Sequence, residues 1–177
     1  MLTLDDPRWF ALRTSRTSRP EQFLSLLVEL RNNPAPDGRA FDSLAQHLWP
    51  QFDVEETTLA ALPHLVVALE RIPAGQRAET LEQIGTIAGL ISEADWLSAP
   101  DDVRLAYDRA VKDALALALE SLREVQDADG LLWVFAAVAA LKGCSALCNT
   151  LLGLSRQIGE CPECGEEIDL QDVCRHW

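Results

Sequence analysis

The chain has 177 residues, 48% of them hydrophobic, which suits one domain with a buried core. It carries 28 Asp and Glu against 15 Lys and Arg, a formal net charge of −13. That balance opposes direct binding to a nucleic-acid backbone, where cations must displace counterions, and docking on an anionic membrane.

The acidity is uneven. Residues 1–50 hold six basic and six acidic residues, whereas residues 51–177 hold nine and 22. The opening MLTLDDPRWF shows no basic region leading into an apolar stretch, so no secretory leader is expected. The longest apolar run, Leu131 to Leu141, is too short for a membrane span and is closed by Lys142. A soluble, cytoplasmic protein is the expectation. Arg8, Arg13, Arg16 and Arg19 make the first 19 residues locally basic. Such an arm either packs on the acidic remainder or stays solvated.

Helical periodicity dominates from Pro20 onward. A first helix is expected over 20–32, with Phe23, Leu24, Leu27, Val28 and Leu30 apolar. NNPAPDG at 32–38 reads as a loop, and a second helix follows over 39–49 until Pro50 ends it. Asp53 reads as an N-cap with Glu56 completing a capping box. The helix so started reaches Arg71, with Leu59, Leu62, Leu65, Val66 and Leu69 on one face and Pro63 as a kink. A fourth helix is expected over 76–93. A fifth covers 101–124, its two leading aspartates facing the positive end of the dipole. A last helix starts near Asp129 and runs toward Leu154, with a break foreseen at Gly143. The starts at 53 and 101 each head a two-helix unit, at a spacing near that of HEAT repeats. The fold class expected is all-α: an α-solenoid of HEAT-like stacked helical hairpins over 1–155, against a compact irregular bundle, with a separate tail over 156–177.

The stretch from Trp49 to Pro73, followed by the IGTIAG segment, resembles a family of bacterial HEAT-repeat-like proteins with a W-x-Q-G-T-x-Y-x-A-T-x-x-A-L-P-x-L type segment. Trp49, Gln51, Thr57, Ala61, Leu62, Pro63 and Leu65 carry the likeness, and Phe52 and Asp53 stand where the family has Gly-Thr. It covers residues 44–90. Some members resemble immunity proteins of bacterial toxin systems, so the resemblance implies a non-catalytic inhibitor.

The tail CPECGEEIDLQDVCRHW concentrates metal-ligating residues. Cys161 and Cys164 have the spacing of a zinc knuckle, and Cys174 and His176 complete a four-ligand set for structural Zn2+. The nine residues between Cys164 and Cys174 are long enough to fold back as a hairpin through 166–170. Cys144 and Cys148, one helical turn apart, form an alternative second pair, and free thiols in a core are the plain reading. A closed site of this kind would act as a clasp, with no open position for water.

No H-E-x-x-H, G-x-S-x-G or phosphate-loop pattern occurs, so an enzyme would need an unrecognised carboxylate site. His47 falls on the polar side of its helix, and His64, among alanines and Val67, reads as packed rather than catalytic. Trp133 reads as core. Trp49 and Phe52 are either packed in an inter-helix corner or exposed as an anchor.

On the fourth helix, Leu81, Ile84, Ile87, Ala88 and Ile91 form the inward side. Glu79, Glu82, Thr86 and Glu93 form an acidic stripe flanked by Gly85 and Gly89. The fifth helix mixes Asp108 and Asp113 with Arg109 and Lys112, as on a solvated face. The stripe is the expected partner-binding surface, and a basic protein the expected partner: a toxin domain, nuclease or nucleic-acid deaminase, occluded by the acidic face. A scaffold or adaptor without a toxin is the alternative.

Overall fold

The structure is a computed structural model that describes residues 1–14, 19–34, 39–48 and 54–155, and the strands at 158–160 and 167–169. Among the described residues it is helical, with eight α-helices packed against one another: α1 (Pro20–Asn32), α2 (Arg39–Leu48), α3 (Glu56–Leu69), α4 (Ala78–Leu90), α5 (Glu93–Ser98), α6 (Asp101–Ser121), α7 (Ala128–Leu141) and α8 (Ser145–Ser155). No helix described is long and apolar enough to cross a membrane.

α7 packs most extensively against α4 and α8, α3 packs against α6, and α1 sits against α2 and α3. The core is aliphatic at α3, where Leu59, Leu62, Leu65 and Leu69 are fully buried. α7 packs through small residues: Ala137 and Ala140 meet α4, and Ala136, Ala139 and Ala140 cluster with Cys148 of α8. A Cβ on Gly85 would stand 2.6 Å from the Cα of Ala137, so only glycine permits the α4–α7 approach. The two glycines flanking the acidic stripe thus serve a neighbouring helix, since Gly89 faces Ala140 and Ser145.

Expected boundaries move at α3 and α4, and the break foreseen at Gly143 is found. α3 starts at Glu56 and its N-cap is Glu55, not Asp53, which lies outside the described residues together with Trp49 and Phe52. Glu56 is not spent on a capping box: its carboxylate accepts from the backbone N–H of Arg13 at 3.0 Å and from Arg13 Nε at 2.8 Å. The fourth helix stops at Leu90, because Ile91 is extended and Ser92 caps a separate α5 by accepting the Asp95 N–H. The last helix divides at Gly143, whose φ of +76° lies in the left-handed region. Cys144 N–H reaches back to the Ala139 carbonyl and Gly143 N–H to that of Ala140, a Schellman closure.

The basic arm packs on the acidic remainder. Asp6 caps a 3-10 turn at Pro7–Phe10. Arg8 pairs with Asp6 and, at 2.7 Å, with Asp102 of α6. Arg13 reaches Glu56 and Ser98, with Asp95 at 3.9 Å, and its carbonyl accepts the Thr57 N–H of α3. Trp9 is fully buried between Phe23 and His64 and donates to the Thr3 carbonyl at 2.8 Å. Residues 1–14 form a strap across α3, α1 and α6.

Beyond α8, Ile158–Glu160 (β1) pairs antiparallel with Glu167–Asp169 (β2), Gly159 opposite Ile168. The fold-back of the tail therefore uses the segment before Cys161, not the spacer alone.

Candidate functional site

α5 and the start of α6 frame a cleft of about 330 Å3 at the end of α4. Its lining includes Ala88 from the C-terminal end of α4, Ile91 just beyond it, Glu93 and Trp96 from α5, and Tyr107 and Asp108 from α6. Trp96 and Tyr107 meet edge to face, with ring centroids 5.6 Å apart and planes at 66°. Tyr107 is only 7% exposed, yet its hydroxyl makes no hydrogen bond among the described residues. Burial first, and then the negative charge of Asp108, hold this phenol protonated well above its ordinary range. Glu93 and Asp108 are exposed and form no ion pair among the described residues.

The expected stripe is divided by the structure. Glu93 belongs to α5 and turns to this cleft, so it does not continue the line of Glu79 and Glu82. Glu82 and Thr86 are half-buried, the Thr86 hydroxyl 3.4 Å from the Glu82 carboxylate. Thr86 lines a narrow groove between α4 and α8 with Cys148 and Leu152. Neither Glu79 nor Glu82 is free of partners. Arg77 does not neutralise the stripe, because its guanidinium is buried against the Ile72 carbonyl and pairs with Glu120 at 2.6 Å. An acidic stripe reaching residue 93 requires one continuous helix, and the Ser92 cap is the sequence signal that separates α5 from α4.

The remaining groups with chemical potential are placed as follows. His64 is 1% exposed, with Nε2 2.9 Å from the Leu2 carbonyl. A carbonyl only accepts, so Nε2 carries the proton, and Nδ1 is buried without a partner. Burial pushes its pKa down to about 4, helped by the positive charges of Arg31 and the amino terminus and opposed by the Leu2 bond. Trp133 is half-buried against the core. Cys144 is exposed, whereas Cys148 is buried among alanines of α7. Burial, and then Glu82, push the Cys148 thiol up, away from the thiolate a metal needs. No group of three or more metal-ligating side chains converges among the described residues. Cys161, Cys164, Cys174 and His176 lie outside them. A second cleft, about 380 Å3 and apolar, runs between α7 and α8 past Phe135, Leu147 and Leu151.

Compared with known proteins, the chain matches no family model, no curated protein and no solved structure.

Proposed function

We propose that this chain is a non-catalytic protein-binding inhibitor, an immunity protein that neutralises a basic toxin domain, a nuclease or nucleic-acid deaminase, by covering its active cleft. The carrying observation is how the charge is distributed. The strap arginines Arg8 and Arg13 are engaged by Asp6, Asp102 and Glu56, while Glu93 and Asp108 face solvent unpaired around an aromatic floor. An acidic surface on a rigid helical stack steers a basic partner and speeds its association. His64, the histidine nearest the core, holds the strap rather than facing a cleft, which favours binding over catalysis.

The scaffold reading goes with it. α3 and α4 form one hairpin and α6 and α7 the next, each helix lying along its counterpart, which supports HEAT-like stacking. For the tail, Cys161 and Cys164 fall in the sequence between β1 and β2, and their spacing suits a zinc knuckle completed by Cys174 and His176. Protein purified without a histidine tag is expected to carry about one zinc per chain; metal-free protein would remove the clasp. The apolar α7–α8 cleft favours the adaptor alternative, since an apolar helix of a partner suits such a groove.

The function is tested by co-expression with a basic toxin-like domain encoded next to this gene. Cells are expected to survive. Death at equal expression, with both proteins folded, would rule out immunity to that toxin.

A further inference from the structure

We infer that the cleft between α5 and α6 is a receptor for an arginine side chain of the partner protein, with Trp96 and Tyr107 as its floor and Glu93 and Asp108 as its rim. This deepens the proposed function and rests on its premise that the partner is a basic protein.

The dimensions and chemistry agree on that occupant. A volume of about 330 Å3 accommodates one long side chain. Ala88 and Ile91 supply apolar surface for its methylenes, and the faces and edges of Trp96 and Tyr107 supply the quadrupole that attracts a cation. Arginine fits better than lysine because its planar guanidinium stacks on aromatics and presents several N–H donors at once. Those donors have acceptors waiting. Glu93 and Asp108 come from two different helices, and neither is neutralised by a cation of this chain among the described residues. The Tyr107 hydroxyl adds a further polar group: its side chain is nine-tenths buried in the cleft wall, and the hydroxyl makes no hydrogen bond among the described residues and is left to solvent or a ligand. By contrast Asp95, on the same short helix, is engaged by Ser92 and Arg13. Within α5 the carboxylate used by the fold and the one left over are thus separate.

The probe is N-acetyl-L-argininamide at low ionic strength, with N-acetyl-L-citrullinamide as its neutral isostere. The readout is the Trp96 indole N–H resonance, assigned by Trp96→Phe. Expected are a saturable shift with a dissociation constant in the millimolar range, no response to the citrulline analogue, and binding about tenfold weaker in Glu93→Gln/Asp108→Asn. No saturable shift, or equal shifts with both analogues, would overturn the pocket. Binding of the arginine probe together with failed co-expression rescue would remove immunity to that toxin and leave the pocket. Rescue without probe binding would do the reverse.

Discussion

The strap across α3 and the cleft between α5 and α6 both gather charged and aromatic side chains, yet they use them in opposite ways. In the strap the charged and aromatic side chains are engaged by the fold: Trp9 fills the space between Phe23 and His64, Arg13 binds Glu56 and its carbonyl accepts the Thr57 N–H, and Arg8 reaches Asp102. In the cleft the aromatic pair has an open side and two carboxylates have no counter-charge among the described residues. A residue whose charge is consumed by the fold stabilises it. A carboxylate left unpaired beside another contributes little to stability and is available to a partner.

The comparison is broken most strongly at the strap's aromatic anchor. Trp9→Ala removes a fully buried ring and its hydrogen bond to Thr3, and is expected to cost about 3–5 kcal/mol in urea denaturation. A cost below about 1 kcal/mol would mean the strap is not part of the core. The next effect is in pH. His64 has its folded-state pKa lowered to about 4 from 6.5, so the unfolded chain takes up the proton first as pH falls. Its stabilising contribution is complete above pH 6.5 and is lost on descent toward pH 4, amounting to about 3 kcal/mol over that window. His64→Gln should flatten this loss between pH 6.5 and 4. A wild-type stability that stays level from pH 7 to 5 would contradict the buried neutral histidine. A smaller loss is expected from Glu56→Gln, about 1–2 kcal/mol, because the Arg13 side chain is half exposed and water takes up part of the lost bond. Thermal melts of this variant should show the strap loosened, with increased proteolysis before residue 14.

These elements were not equally legible in the sequence. Pro20, the apolar spacing of α1 and α3, the aspartates opening α6 and the glycine breaking α7 from α8 are local signals, and they placed the helices well. The start of α3 falls at Glu56 and not Asp53 because Glu55 is the cap, while Glu56 and the Thr57 N–H are held by Arg13, far away in the chain, which no local pattern records. The acidic stripe was drawn too long because hydrophobic period alone does not register the turn at Ile91 and Ser92. Of the cleft, only Glu93 was foreseen as a partner contact. Trp96 of α5 and Tyr107 of α6 meet through a ring contact that no local pattern records, and Asp108, next to Tyr107 in the chain, reads as any residue of a solvated face. The likeness of residues 44–90 to HEAT-type segments said nothing of the cleft.

The sharpest test of the division between strap and cleft is the unfolding free energy of Glu93→Gln/Asp108→Asn at neutral pH, measured beside Glu56→Gln. If the cleft carboxylates are held for a partner, the double variant should match the parent within about 0.5 kcal/mol or exceed it, since two unpaired charges are removed. A loss as large as that of Glu56→Gln would show that Glu93 and Asp108 hold the fold together, and would contradict their assignment to a partner.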